Sequence, residues 1–342
     1  MRFPFLLLAA WASIPRSSAQ LNELAKAAGK LYFGTATDNP ELSNSTYISI
    51  LDDTREFGQL TPSNGMKPSP GVFNYTPGSI VANLATKNRQ ILRCHNLVWY
   101  SQLAPWVTTT TWTAASLTRA LVQHITHEVS HWRSQCYAWD VVNEALNDDG
   151  SYRNNTFLQI LGPEYLKIAF AAAAAADPAA RLYYNDYNIE YAGPKARAAR
   201  EKIVGFLQDA GIRIDGVGLE SHFLVGETPS LEDQVENMQS FVRMGVDVAI
   251  TELDVRMLNP PDEASLAQQT KDYQAAVGAC LQVPRCVGIT VWDFYDPFSW
   301  IPGTFPGYGS ADLYFPDFTK HPAYYGVMDV LKNDTGVGRS RD

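Results

Sequence analysis

Residues 137–144 read YAWDVVNE, an apolar and partly β-branched run that ends in a carboxylate at Glu144. Residues 247–252 read DVAITE, and they repeat the pattern with Glu252 at the end. Runs of this kind, spaced by helical patterns, are typical of parallel strands that are buried on both faces. In a barrel of alternating strands and helices, chemistry lies at the C-terminal ends of the strands. Two carboxylates that converge there form the pair that cleavage of a glycosidic bond requires.

Strand-like and helix-like stretches alternate along the rest of the chain. The predicted strands are 31–35, 59–61, 90–94, 138–143, 181–184, 216–219, 248–251 and 287–292. The predicted helices are 46–57, 80–87, 116–132, 164–176, 195–210, 231–244, 266–281 and 323–332, with Ser116 and Ser230 as N-caps. Eight such units predict an α/β fold, a single (β/α)8 TIM barrel. A doubly wound sheet usually carries a glycine-rich phosphate turn after its first strand, and residues 34–37, GTAT, do not form one.

The first 19 residues have the pattern of a secretory signal peptide. Arg2 precedes an apolar stretch over 3–12, and small residues at 17–19 precede Gln20. We expect cleavage after Ala19, so that residues 20–342 form the catalytic barrel of a secreted, extracellular protein. The apolar stretch is too short to span a membrane.

The formal net charge of −9 argues against nucleic acid and anionic membrane surfaces as partners. A neutral ligand fits this charge better, and we expect a monomer. Four Asn-X-Ser/Thr sequons become candidate glycosylation sites in a secreted protein, and we expect some to be unused. They begin at Asn44, Asn74, Asn154 and Asn333.

Four cysteines in an oxidising compartment are sufficient for two disulfides. Cys280 and Cys286 flank a short turn between a helix and a strand, and we predict that they pair. Cys94 ends one predicted strand, whereas Cys136 precedes the next, which places them about 20 Å apart at roughly 3.3 Å per residue. A disulfide needs Cα atoms within about 7 Å. We therefore predict one disulfide and two buried thiols.

Cleavage of a sugar acetal with retention needs a protonated carboxyl and an ionised one. Asn143, which precedes Glu144, has an amide that can hold a sugar hydroxyl beside the reacting carbon. Residues 218–222, GLESH, end the preceding strand and can bring His222 to Glu252. A His222 that donates to Glu252 and is oriented by Asp254 would keep that carboxylate charged.

Tryptophans at or just after predicted strand ends favour a carbohydrate ligand, because pyranose rings stack on indole faces. They are Trp99, Trp106, Trp292 and Trp300. Neither a cofactor nor a metal is expected. His124, His127 and His131 lie at helical spacing, but no further ligand motif completes a metal site, and we predict a solvated helix face.

Four strings resemble glycoside hydrolase family 10, the family of the β-1,4-xylanases with a (β/α)8 barrel and a retaining mechanism. They are WDVVNEA at 139–145, ITELDV at 250–255, HNLVW at 95–99 with Gln102, and YNDYN at 184–188. The resemblance covers essentially all of the chain after residue 19.

The resemblance implies that Glu144 is the acid/base, that Glu252 is the nucleophile, and that His222 and Asp254 support the nucleophile. The residues expected to bind sugar are Asn64, Lys67, His95, Trp99, Gln102, Asn143, Asn185, Tyr187, Glu220, Trp292 and Trp300.

Four positions depart from the family pattern. Residues 61–68 read TPSNGMKP where the family usually has TPENxMKW, so Ser63 replaces a glutamate that grips sugar hydroxyls and Pro68 replaces a tryptophan. Glu220 replaces a glutamine, and Tyr100 replaces a histidine. A lost charge-assisted hydrogen bond weakens sugar binding by about 1.5–3 kcal/mol. A third carboxylate at Glu220 should raise the pKa values of its acidic neighbours.

Three functions are therefore considered. The first is a retaining endo-1,4-β-xylanase that acts on plant xylan. The second is a tomatinase-type glycosidase that releases an intact oligosaccharide from the steroidal glycoalkaloid α-tomatine, which the altered glycone side (the non-reducing side of the cleaved bond) favours. The third is a non-catalytic carbohydrate-binding barrel, which the presence of both glutamates disfavours.

Overall fold

A computed structural model describes residues 20–67 and 74–334 of the chain. The predicted signal peptide at 1–19 and the Pro68 departure lie outside these residues. Within the described ranges no helix combines the length and apolar character that crossing a membrane requires.

Eight parallel strands close into a barrel in the order of the chain, and the last strand pairs with the first. They are β1 Tyr32–Thr37, β2 Gln59–Pro62, β3 Ile91–Cys94, β4 Cys136–Asn143, β5 Arg181–Asp186, β6 Gly216–Leu219, β7 Asp247–Leu258 and β8 Cys286–Val291. Each of them overlaps a predicted strand, so the (β/α)8 prediction is confirmed. Strand β7 runs beyond Glu252 because its outer half pairs with two short strands, His222–Leu224 and Tyr308–Gly309.

Helices occupy the connections between the strands. Their bounds are Leu21–Ala27, Ser45–Leu51, Thr76–Asn88, Pro105–Thr109, Ala114–His131, Thr156–Leu161, Glu164–Ala176, Pro194–Ala198, Ala199–Gly205, Phe206–Asp209, Leu231–Val242, Glu263–Gln282, Ile301–Thr304 and Pro322–Asp334, and Ala199–Gly205 is a π-helical stretch. Ser230 caps its helix, as predicted, by accepting a hydrogen bond from Asp233 N. Ser116 is not an N-cap, because the helix begins earlier and Thr113 caps it in a reciprocal capping box with Ser116.

Side chains pack against both faces of the barrel sheet. Outside it, a continuous apolar layer packs the strands against the helices. Inside it, the guanidinium of Arg93 forms an ion pair with Asp140 and lies 4.4 Å from the ring centre of Tyr183. Both charged side chains are 1 % exposed, so each charge is compensated by a partner rather than by water.

Two disulfides are present, which corrects the prediction of one disulfide and two thiols. The Cys280–Cys286 pair is confirmed, with Cα atoms 5.2 Å apart. Cys94 and Cys136 are also bonded, with Cα atoms 5.7 Å apart. The prediction was wrong because Cys136 begins β4 at the level of Leu92, two residues before Cys94. The four-residue β3 is too short to separate them.

The sequons lie at the surface, where glycosylation remains a prediction. Asn74, Asn154 and Asn333 are exposed. Asn44 is half-buried, and its side-chain oxygen caps the helix Ser45–Leu51 through hydrogen bonds from Thr46 N and Tyr47 N.

Loss of the Cys94–Cys136 disulfide should destabilise the protein more than loss of Cys280–Cys286. The two bonds close loops of 42 and 6 residues. Loop-closure entropy gives about 4 kcal/mol for the first and about 2 kcal/mol for the second. Paired Cys→Ser variants should show this order in the free energy of unfolding in urea. Equal losses, or a larger loss from the shorter loop, would contradict it.

Candidate active site

A cleft of about 630 Å³ opens at the C-terminal ends of the barrel strands. Most of the residues predicted from the sequence line it: Asn64, Lys67, His95, Trp99, Gln102, Asn143, Glu144, Tyr187, Glu220, His222, Glu252, Trp292 and Trp300. Two predicted residues, Asn185 and Asp254, are fully buried behind its wall. Trp106 lines an adjoining apolar cavity instead, and its side chain is 40 % exposed.

Glu144 lies directly after β4 with its backbone in the left-handed region, at φ 53°. A non-glycine residue adopts this conformation at an energetic cost that the surroundings must offset. Its backbone N–H donates to Asn185 O at 2.8 Å, and Asn143 Nδ2 donates to its Oε1 at 3.1 Å. Burial raises the pKa of Glu144 to about 7, and the charges of Asp186 and Glu252 add to the rise. The carboxyl of Glu144 is therefore mostly protonated in slightly acidic solution.

Glu252 lies on β7 and is held as a carboxylate. Asn185 Nδ2 donates to its Oε1 at 2.8 Å, and His222 Nε2 donates to its Oε2 at 3.2 Å. Burial alone would raise the pKa of Glu252, but the hydrogen bond from His222 and the charges of His95 and His222 lower it below its usual value. The two glutamates therefore differ in protonation although they share one cleft.

His222 connects Glu252 to a second carboxylate, as predicted. Its Nδ1 lies 2.9 Å from Asp254 Oδ2, which also accepts from Trp300 Nε1 at 2.7 Å. Burial alone would lower the pKa of His222, but the charge of Asp254 and its hydrogen bond raise it to about 10. At neutral pH His222 is therefore an imidazolium that donates from both ring nitrogens.

Asn185 on β5 joins the strands that carry the two glutamates. Its Oδ1 accepts from Thr251 Oγ1 at 2.7 Å, while its Nδ2 faces Glu252 and the oxygen of Asn143. The neighbouring Gly218 on β6 makes room for this amide, because a Cβ there would lie 2.1 Å from Asn185 Oδ1.

Aromatic and cationic side chains pack against each other in the wall of the cleft. Lys67 Nζ lies 4.6 Å from the ring centre of Trp99 and donates to Asn64 Oδ1 at 3.1 Å. The His95 ring meets Trp292 edge-on, with centres 5.2 Å apart.

Sequence reasoning missed several residues of the site. Asp140 accepts from His95 Nδ1 at 3.0 Å and orients that ring. Arg153 donates to the Tyr187 hydroxyl at 2.7 Å and lies over the Tyr100 ring. Arg153 follows no strand, so the strand-end pattern could not have indicated it.

Two further carboxyl groups, Glu41 and Asp293, were also missed, and both line the cleft. Tyr47 OH donates to Asp293 Oδ2 at 2.7 Å and lies 3.2 Å from Glu41 Oε2. Burial raises the pKa of both carboxyls. Asp293 comes two residues after the end of β8, so the strand-end pattern that selected Glu144 could have found it.

Ser63 contributes only a short hydroxyl side chain to the wall of the cleft. Its Oγ lies 3.4 Å from Asp38 Oδ2, and the side chain lines the cleft beside Asn64. A glutamate, the usual family residue at this position, has a longer side chain than Ser63 and would reach further into the cleft.

Among the described residues, one group of ligand atoms is compact enough for a metal ion. Glu220, His222 and Glu252 each offer an atom within 4.8 Å of the others. The hydrogen bond from the imidazolium to Glu252 already accounts for this proximity. The three helix histidines do not converge on one point: His124 Nε2 contacts Leu97 O at 2.8 Å, and His131 Nε2 contacts Ser79 Oγ at 3.2 Å. The solvated-face prediction is wrong for His124, which is half-buried.

Comparison with known proteins gives one consistent result. The profile of glycosyl hydrolase family 10 matches residues 20–330. Endo-1,4-beta-xylanase D of Talaromyces funiculosus is 57 % identical over 94 % of this chain and 79 % of its own length. Endo-1,4-beta-xylanase A of Humicola insolens is 50 % identical over 93 % and 88 %.

Solved structures agree with the sequence relatives. A family 10 xylanase from Bispora sp. MEY-1 with xylobiose has a TM-score of 0.88 at 48 % identity, covering 91 % of this chain and 99 % of that one. Native xylanase 10B of Thermotoga maritima has a TM-score of 0.88 at 35 % identity, covering 93 % and 99 %. The chain belongs to glycoside hydrolase family 10, and it is an enzyme that hydrolyses glycosidic bonds.

Proposed function

We propose that the enzyme hydrolyses β-1,4-xylan by double displacement with retention, with Glu144 as acid/base and Glu252 as nucleophile. The observation that carries this proposal is that two carboxyl groups share one cleft in different surroundings: His222 and Asn185 donate hydrogen bonds to Glu252, whereas burial raises the pKa of Glu144. Retaining glycosidases need this difference, because one carboxyl donates a proton while the other attacks.

In the first step Glu144 protonates the departing glycosidic oxygen while Glu252 attacks the anomeric carbon. Glu252 then carries the glycone as an ester, and Glu144 is left as a carboxylate. In the second step Glu144 removes a proton from water, which attacks the same carbon and releases Glu252. The pKa of about 7 suits Glu144 for both roles, since it can lose and regain a proton near neutral pH.

The surroundings of Glu252 support the nucleophile assignment. The imidazolium of His222 donates to one oxygen and the amide of Asn185 to the other. Hydrogen bonds to the charged form favour that form even in a buried site. Asp254 holds the imidazole in the orientation that this requires.

The choice of xylan is supported by the relatives, whose names describe endo-1,4-β-xylanases, and by the xylobiose complex of a 48 % identical enzyme. The cleft offers the indole faces of Trp99, Trp292 and Trp300 for stacking on sugar rings. We assign hydrogen bonding with sugar hydroxyls to the polar cleft residues that have no other role in the proposed reaction, which are Asn64, Lys67, His95, Gln102, Asn143 and Tyr187.

One observation favours a second substrate. Ser63 lines the cleft where the family pattern has a longer glutamate, which we infer widens the glycone side. A tomatinase-type enzyme, which removes an intact branched oligosaccharide from α-tomatine, would need such space. The catalytic steps would be the same, and the difference would lie in the sugars bound by the glycone side.

We also propose that the enzyme is secreted after cleavage behind Ala19, and that residues 20–342 act as a monomer. The apolar segment at 3–12 and the candidate glycosylation sites Asn44, Asn74, Asn154 and Asn333 support secretion.

Replacing the two glutamates should have different consequences. Glu252→Ala should abolish turnover of all glycosides. Glu144→Ala should slow xylan hydrolysis by about 10²–10⁴-fold, the usual contribution of a general acid, yet spare formation of the glycosyl-enzyme from dinitrophenyl xylobioside, whose leaving group needs no proton.

In the wild type kcat/KM should fall as pH rises through about 7, because Glu144 loses its proton there.

Values of kcat/KM on xylan and on the aryl glycoside, measured from pH 4 to 9, test these expectations, because kcat/KM reports the formation of the glycosyl-enzyme. Glu236→Ala is the matched control, since this glutamate is exposed on a helix and should leave both rates unchanged. Undiminished turnover in Glu252→Ala would contradict the nucleophile assignment.

A substrate panel with Ser63→Glu distinguishes the two candidate substrates. The wild type should release reducing sugar from xylan and little aglycone from α-tomatine. Ser63→Glu should lower KM for xylooligosaccharides by about tenfold or more, because a charge-assisted hydrogen bond is restored. Ser63→Ala is the control without that bond. Aglycone release from α-tomatine without xylan products would support the second candidate instead.

A further inference from the structure

The amide of Asn185 faces more acceptors than it has hydrogens. Its Nδ2 lies 2.9 Å from Asn143 Oδ1, 3.1 Å from Glu220 Oε1 and 2.8 Å from Glu252 Oε1. An amide nitrogen carries only two hydrogens. The amide cannot be turned to relieve this, because its oxygen accepts from Thr251 and would otherwise face three other oxygens. One acceptor in this group is therefore short of a hydrogen.

Glu220 lies next to this deficit and is 2 % exposed. Its Oε1 faces Asn185, and its Oε2 lies 3.7 Å from His222 Nε2, too far for a hydrogen bond. Both nitrogens of His222 are already occupied with Asp254 and Glu252. From these two neighbours an ionised Glu220 would therefore receive at most one hydrogen bond, from Asn185, and its second oxygen would have none from His222.

The charges around Glu220 also disfavour a carboxylate. The acidic groups Glu252 on β7, Glu144 after β4 and Asp186 on β5 all repel a charge on Glu220. On the basic side are His222, which is engaged with two other carboxylates, and Lys195, which lies 2.9 Å from Asp186. Burial raises the pKa of Glu220 well above its usual value, and the charge of Glu252 adds to the rise.

We propose that Glu220 is a positioning residue that acts as a neutral carboxylic acid, whose O–H completes the hydrogen bonding around Glu252. The proposal rests on the proposed role of Glu252 as nucleophile. The carbonyl oxygen accepts from Asn185, and the hydroxyl on Oε2 points toward the side occupied by His222 and Glu252. A carboxylic acid thus reproduces the acceptor and donor of the glutamine that the family pattern has at this position.

The neutral form matters because the proposed reaction changes the charge of Glu252. In the free enzyme a charged Glu220 would place a second carboxylate within 4.8 Å of the nucleophile and draw it toward protonation. When Glu252 becomes an ester, a neutral Glu220 is not left as an unpaired buried charge. Ionisation of Glu220 at high pH removes the hydroxyl donor and should lower activity.

Infrared difference spectroscopy tests the protonation directly. In D₂O at pH 6, wild type minus Glu220→Gln should show one protonated-carboxyl C=O band. Glu128→Gln calibrates the method, because Glu128 is a buried carboxyl on the helix Ala114–His131, and burial raises its pKa to about 7. A missing band in the Glu220→Gln difference, with the Glu128 band present, would overturn the proposal.

Kinetics test the positioning role. At pH 5, Glu220→Gln should keep kcat/KM within about threefold of the wild type, whereas Glu220→Ala should lose at least about tenfold, the effect of an unmet hydrogen bond beside a charge. Equal losses in both variants would contradict the rescue by glutamine. The infrared result does not depend on which group attacks, so failure of the nucleophile assignment, seen as turnover in Glu252→Ala, remains distinguishable.

Discussion

The hydrogen bond from the His222 imidazolium to Glu252 is the interaction on which the proposed chemistry depends. A buried carboxylate would otherwise take up a proton, because burial penalises the charged form. Asp254 accepts from the other ring nitrogen, Nδ1, and raises the pKa of the imidazole, and Trp300 donates to the same aspartate. These contacts favour the charged form of Glu252, the proposed nucleophile, and hold its carboxylate in one orientation. Glu144 has no such partner, so burial leaves it as an acid.

The barrel makes this arrangement possible because parallel strands end at one face. Glu144 follows β4, Asn185 belongs to β5, and Glu252 lies on β7, yet hydrogen bonds through Asn185 join all three segments. Small residues are needed where these groups crowd together, as Gly218 shows. The ends of the parallel strands therefore bring Glu144 and Glu252 into one cleft, and local contacts shift the pKa values of the two carboxyls in opposite directions.

Much of this was predictable from the sequence. Period and turn signals indicated all eight strands. Carboxylates at strand ends indicated Glu144 and Glu252, which line one cleft. Features set by tertiary register were not predictable: the Cys94–Cys136 bond depends on how β3 and β4 are offset. Contacts made from loops, such as Arg153 on Tyr187, leave no periodic signal either. The family pattern identified Glu220 as a departure, but the proposal that it is a neutral acid depends on the geometry around Asn185.

The central claim is that Glu252 attacks the sugar and becomes covalently linked to it. A 2-deoxy-2-fluoro-β-xylobioside with a dinitrophenolate leaving group should inactivate the enzyme with one label per chain, because fluorine slows the second step more than the first. Peptide mass spectrometry should then locate the label on Glu252. A label on another residue, or a product of inverted anomeric configuration in proton NMR, would contradict the account.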